Sequence, residues 1–357
     1  MTKIKDKMFI AVFLTNILLI ILSILALELV FGDWTHPDNL NKLNILRSRK
    51  IRYNTEGVFD SPAKIAIYTR DRYGLRGSFA KPNEIIILTV GGSTTDQRYI
   101  TDGQTWQDVL QQQFQSAGKK VVVGNAGIDG QSTVGHIKNF DWWFNKVPGL
   151  TPKYILFYVG LNDFYVENSY DTLIQKESFY NSLRERSALY HSFRVLYGSY
   201  LAMYKYHLGH QSGNFPRSGW TTIPLQDDYD RLMAKRLNEY ANRLNILITK
   251  TKAFGSVPIF VTQPSLNYRF NNGKIEGRNY QILYEGVPIN GVDYYHMIRK
   301  LNKLTFAVCK KNNILCVDMA GETTWEDSDF YDFVHMTPRG AKKVGAYLFK
   351  KLSQLRG

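Results

Sequence analysis

Cysteine is scarce in this sequence, with only Cys309 and Cys316 among 357 residues. Two cysteines cannot make a disulfide scaffold, and their separation lacks the C-x-x-C spacing of a zinc knuckle or redox pair. They are expected to be buried free thiols, although an oxidising compartment would also permit a disulfide between them. Clustered charge is also missing. The net charge is +14, yet Lys and Arg are spread from Lys3 to Arg356, with only short groups such as Arg47 to Arg52. No zinc-finger, homeodomain or RNA-recognition pattern accompanies them, so nucleic acid is not expected as a partner. A basic exterior beside anionic lipid or an acidic polymer accounts for the excess more simply. There is no internal repeat, and no Gly-Lys-Ser/Thr follows the glycine-rich turns, which removes a P-loop. What is present is a 44% hydrophobic composition, enough for a large core that no metal or staple need hold together.

One apolar run stands apart. Met8 to Leu27 carries no charge and has the length of a single bilayer span. Ile24 and Ala26 run straight into Leu27, Glu28 and Leu29 without the small-residue site of a cleaved signal peptide, so an uncleaved anchor is expected. Lys3, Lys5 and Lys7 precede it, which keeps the tail in the cytoplasm and puts the remainder on the periplasmic or extracellular side of the inner membrane. The expected organisation is a cytoplasmic tail (1–7), a transmembrane anchor (8–30), a stalk and N-terminal extension (31–80), and a globular domain (81–357).

In the globular part, short β-branched runs alternate with longer segments of helical period, the signature of a parallel sheet covered by helices. Strands are predicted over Glu84–Val90, Val121–Asn125, Tyr154–Val159, Val257–Thr262 and Ile314–Asp318. Helices are predicted over Thr105–Ala117, His136–Lys146, Tyr229–Thr251, Tyr294–Asn312 and Pro338–Leu355. The fold class is therefore α/β, a three-layer doubly wound (flavodoxin-like) sandwich on a five-stranded parallel sheet. An insertion at about 163–228, with no convincing strand, follows the third strand. Its position at a carboxyl end suits a lid or substrate wall. Within it Tyr190, Phe193, Tyr197, Tyr200 and Tyr204 share one helix face, expected to pack on the domain, with a sugar-stacking or membrane-touching surface as the alternative.

Four segments put reactive groups at strand ends or helix starts. Gly91-Gly92-Ser93 permits a tight strand-to-helix turn that exposes Ser93. Gly124 to Gly130 has the spacing G-x-x-G-x-x-G, which argues against a dinucleotide fingerprint. Gly160-Leu-Asn162-Asp163 brings an amide and a carboxylate to the third strand's end, and Asp332-Phe-Val-His335 leads into the last helix. With Ser93, the last pair supplies nucleophile, base and orienting carboxylate.

Taken together, Ser93, Gly130, Asn162 and His335 occur in the order and settings of the blocks that name the SGNH (GDSL-type) hydrolases, which this sequence resembles from about Glu84 to Leu355. Gly92 replaces the aspartate of the G-D-S form. The resemblance implies a Ser93–His335–Asp332 triad and an oxyanion hole made by the Ser93 and Gly130 N–H groups with the Asn162 amide, and the serine chemistry it implies needs no metal or organic cofactor. The segment Asp71 to Gly77 is similar to one preceding the first block in membrane-anchored members, and Arg76 within it is a candidate for binding an anionic substrate group, although an ordinary structural salt bridge is the more expected role. The implied activity is cleavage or transfer of O-acyl groups, with acetyl esters of a cell-envelope carbohydrate as the expected substrate. A lysophospholipase or thioesterase on long acyl chains, and a non-hydrolysing polysaccharide O-acyltransferase component, are the alternatives.

Overall fold

The computed structural model describes residues 2–32, 34, 40, 45–60, 63–77, 81–165, 184, 186–200 and 219–355. Most of the insertion, including Tyr204, lies outside them. In chain order the principal elements are helix α1 (Thr2–Phe31), strands β1 (Arg49–Asn54), β2 (Ile65–Arg70) and β3 (Ile85–Gly91), helical turn α2 (Ser93–Asp96) and helix α3 (Trp106–Ser116). There follow β4 (Val122–Asn125), α4 (Thr133–Trp142), β5 (Tyr154–Val159), α5 (Leu161–Phe164), α6 (Ala188–Tyr200), β6 (Trp220–Thr221), α7 (Tyr229–Ala253) and β7 (Val257–Thr262). The chain ends with β8 (Tyr268–Asn271), β9 (Lys274–Arg278), β10 (Ile282–Tyr284), β11 (Val287–Ile289), α8 (Gly291–Asn312), β12 (Leu315–Val317), α9 (Met319–Glu322) and α10 (Pro338–Leu352). It divides into two compact units, Met1–Asn44 with Ile174–His210, and Ile45–Leu173 with Gln211–Gly357.

In the larger unit five parallel strands lie in the order β12-β7-β5-β3-β4. This is the doubly wound order expected, with β3 and β5 central. Residues alternate between two buried faces. Leu156 and Tyr158 join Ile87, Val123, Ile259 and Val261 against Trp106, Leu110 and Phe114 of α3 and Val344 and Leu348 of α10. Phe157, pointing the other way, meets Phe140 of α4 and stacks on Phe260 at 5.2 Å. Both faces are covered, which is why these strands read as continuous apolar runs.

Helix ends follow local chemistry. Thr105 caps α3 by accepting from Asp108 N at 3.2 Å, while Asp108 Oδ2 accepts from Thr105 N at 3.0 Å, a reciprocal capping box. Asn290 caps α8 in the same way with Asp293. That start lies three residues before the predicted Tyr294.

Three features differ from expectation. The N-terminal extension contains an antiparallel pair, β1 with β2, and small antiparallel sheets β6-β9-β8 and β10-β11 fill out the region after β7. Their strands have two to six residues and mixed exposure, too little periodicity to register in sequence. Cys309 and Cys316 are joined in a disulfide rather than free, because the end of α8 and the start of β12 bring their Cα atoms to 6.2 Å. Finally, Phe193, Tyr197 and Tyr200 of α6, expected to be covered, are exposed.

In the smaller unit, α1 is one 30-residue helix. Its stretch Met8–Phe31 is long and apolar enough to cross a membrane.

Candidate active site

Strand β3 ends in Gly91 and Gly92, and the chain turns at once into α2, so Ser93 heads a helical turn at the sheet's carboxyl edge. Neither glycine has room for a side chain. A Cβ on Gly91 would collide with Thr95 Oγ1, and one on Gly92 with Asn162 Nδ2 while reaching Gln131 O at 3.0 Å. In the first turn of α2 the Ser93 N–H has no intrahelical acceptor, which leaves it available to a ligand.

Two connected hydrogen bonds define the centre. Ser93 Oγ lies 2.7 Å from His335 Nε2, and His335 Nδ1 lies 2.6 Å from Asp332 Oδ2. The other Asp332 oxygen accepts from the backbone of Val334 at 2.9 Å and His335 at 2.7 Å, so the carboxylate is oriented on both sides. Burial alone would raise the Asp332 pKa. The His335 hydrogen bond and charge and the two backbone donors outweigh it and hold the carboxyl below its usual range. Tyr331 stacks nearly parallel on the imidazole, 5.5 Å between centroids at 10°, and fixes its plane. With the Nδ1 proton directed at Asp332, Nε2 is the acceptor for the Ser93 hydroxyl.

Three segments meet beside this chain. Asn162 heads the turn after Gly160, whose φ of +115° only glycine adopts readily. Its Nδ2 donates to Gln131 O at 2.8 Å and abuts Gly92, which keeps one further N–H free to donate. Gly130, at φ +73°, precedes Gln131 and has open space where a Cβ would stand. Asp163 takes a different part. It is buried and bound by Thr133 N at 3.3 Å and Arg243 at 3.2 Å, tying the start of α4 to α5 and α7. Burial raises its pKa against the lowering effect of Arg243.

Arg76 is not where a substrate could meet it. It is 1% exposed, donates to Ile100 O at 2.6 Å, lies 3.5 Å from Asp102 and sits over the Tyr68 ring. Of the two readings open for Arg76, these contacts fit the structural ion pair, and they take up its charge inside the fold. The segment around it is a turn, in which Asp71 Oδ1 accepts from Tyr73 N at 2.8 Å and Leu75 N at 2.9 Å, with Gly74 at φ +87°.

Sequence reasoning missed Arg70. From the end of β2 it donates to Asp96 Oδ1 at 2.7 Å and to Gly127 O at 2.6 Å, and Tyr68 OH donates to the same Asp96 oxygen at 2.8 Å. Asp96 closes the turn that carries Ser93. The N-terminal extension therefore braces that turn from behind, through partners 26 residues apart that no local pattern reveals.

A doubly wound sheet with a hydroxyl, an imidazole and a carboxylate linked at its carboxyl edge is the arrangement of a hydrolase that works through an activated hydroxyl. The sequence profile of the GDSL-like lipase/acylhydrolase family matches residues 89–276. That is more than half of the chain, and the chain belongs to this family of ester-hydrolysing enzymes. The match includes Ser93, Gly130 and Asn162 and stops before Asp332 and His335.

Among solved structures, a GDSL-like lipase from Bacteroides thetaiotaomicron is 14% identical, with 77% of this chain and 92% of that one covered and a TM-score of 0.39. A lipase/acylhydrolase from Enterococcus faecalis is 14% identical over 75% of this chain and 95% of that one, TM-score 0.42. An acetyl xylan esterase is 13% identical over 75% of this chain and all of that one, TM-score 0.40. No curated protein sequence matches this one.

Proposed function

We propose that the protein is a membrane-anchored serine esterase that removes or transfers small O-acyl groups on a cell-envelope carbohydrate. The observation that carries this reading is the continuous chain from Ser93 Oγ through His335 to Asp332, at 2.7 and 2.6 Å. Ser93 Oγ attacks the ester carbonyl as its proton passes to His335 Nε2. The tetrahedral oxyanion is held by the Ser93 and Gly130 N–H groups and Asn162 Nδ2. Collapse breaks the bond to the alcohol, which leaves with the proton from His335. A water or a sugar hydroxyl then attacks the acyl-enzyme, returning its proton through His335.

Three observations support the setting. The span in α1 suits an anchor, with the lysine-rich tail inside and the domain in the periplasm or outside the cell. A disulfide between Cys309 and Cys316 suits the oxidising side. A cavity of about 520 Å³ between α8, β8 and α9 is lined by Tyr268, Phe270, Tyr295, Arg299, Lys303 and Asp318. Its lining includes none of Ser93, Asn162 and His335, so its aromatic faces suit a part of a long sugar chain remote from the ester.

The test compares acetyl and dodecanoyl chromogenic esters with the wild type and Ser93→Ala. The reading expects preference for acetyl and a loss of at least about a thousandfold in kcat for the variant. A preference for dodecanoyl would favour a long-chain lipase, and full activity in the variant would remove Ser93 from the chemistry.

A further inference from the structure

Glu28 is the first charged residue after the apolar run, and its carboxylate is saturated by donors from two distant parts of the chain. It accepts from Trp34 Nε1 at 2.9 Å, Ser187 Oγ at 2.6 Å, Ala188 N at 3.0 Å and Leu189 N at 3.1 Å. The last two are orphan N–H groups at the start of α6, where a carboxylate also complements the helix dipole. Helix α6 is thus fastened by its N-terminus to the point at which α1 regains polar sequence.

From that point α6 carries an apolar face that is exposed. Leu189, Phe193, Leu196, Tyr197 and Tyr200 fall at i, i+4, i+7, i+8 and i+11, one side of the helix, and are 43–71% exposed. The rings of Phe193 and Tyr197 stack at 5.7 Å. Just ahead of the helix stand the exposed Arg184 and Arg186. A pinned amphipathic helix with an aromatic and leucine face and flanking arginines has the composition of a segment lying in the headgroup region of a bilayer.

We infer that α6 is an interfacial helix whose Leu189–Tyr200 face is occupied by the lipid surface at the exit of α1. This rests on the anchor reading above. The helix supplies a second contact with the same membrane, and Glu28 sets its depth. Lipid is favoured as occupant because the pinning residue belongs to the span itself, so the face begins where the bilayer interface must be.

The experiment uses full-length protein in nanodiscs of phosphatidylcholine and phosphatidylglycerol. A thiol-reactive environment-sensitive fluorophore is placed singly at Phe193→Cys, Tyr197→Cys and Leu18→Cys, the native cysteines being bridged. Quenching by lipids brominated near the acyl carbonyl is read against quenching by aqueous iodide. The inference expects positions 193 and 197 to show at least about half the lipid quenching seen at Leu18, and iodide protection. Lipid quenching at Leu18 with iodide access at 193 and 197 would overturn it and leave the anchor standing. Absence of lipid quenching at Leu18 would overturn both.

Discussion

Gly92 occupies the position at which the G-D-S form carries an aspartate, and the site shows what the exchange permits. Without a Cβ, residue 92 lets Asn162 Nδ2 come against the backbone while it bonds Gln131 O. Gly92→Ala should displace that amide and lower kcat on an acetyl ester about a hundredfold with little change in KM, the usual cost of one oxyanion donor. In an Asn162→Ala background the same change should cost little. An equal loss in both backgrounds would mean that Gly92 acts through something other than Asn162. His136 poses a different residue-scale question. It is fully buried beside Phe157, and neither ring nitrogen makes a hydrogen bond of normal geometry, although the Gly91 backbone is close enough to favour the charged form slightly. Burial pushes its pKa from 6.5 down to about 3. A base with a depressed folded pKa is charged earlier in the unfolded chain, so its contribution is complete above 6.5 and is lost as the pH falls toward about 3. Between about pH 7.5 and 5 this group alone should remove about 2 kcal/mol. Urea unfolding of the wild type should show that loss, and His136→Phe should show a smaller one. Identical pH dependence in the two would contradict the assignment.

Elements differ in how far the sequence announces them. The five strands of the main sheet were legible because all are short apolar runs bounded by turn residues and four of them, β3, β4, β5 and β7, are largely buried on both faces, and observed ends fall within a residue or two of the predicted ones. The β1–β2 pair was not legible, since Arg49 to Asn54 is short and largely exposed, with only Ile51 and Tyr53 half-buried, and is held by its partner rather than by its own pattern. The disulfide was equally hidden, because spacing along the chain does not reveal that α8 and β12 return Cys316 to Cys309. At the site, Ser93, Asn162, Asp332 and His335 stood out because they sit at strand or helix ends in recognisable order. Arg70 and Asp96 did not, because their meeting depends on the tertiary fold. Asp163 shows the same limit: it stands beside Asn162 in sequence yet points into the α4–α7 junction. Asp163→Ala should leave Arg243 near Thr133 without its carboxylate and cost about 3 kcal/mol or more in urea unfolding, as removal of one partner from a buried pair does. Asp163→Ala with Arg243→Ala should cost clearly less than the sum of the single changes. Strict additivity would show that the two do not act as a pair.

For the whole molecule, the net charge of +14 is spread along the chain rather than clustered. On the proposed anchor reading, a basic catalytic unit held at a membrane would meet anionic lipid headgroups and acidic polymers, and its charge would raise its rate of encounter with both. The same proposed tether would keep reaction at the surface where an envelope carbohydrate is found. All of this depends on one covalent event at one oxygen, and that event can be measured in the intact chain. Full-length protein in nanodiscs is treated with a fluorophosphonate, digested, and mapped by mass spectrometry, in parallel with His335→Ala. The account predicts a single adduct on Ser93 that matches loss of esterase activity one for one, and a much slower reaction in the variant. An adduct on another residue, or full inhibition with Ser93 unmodified, would contradict it.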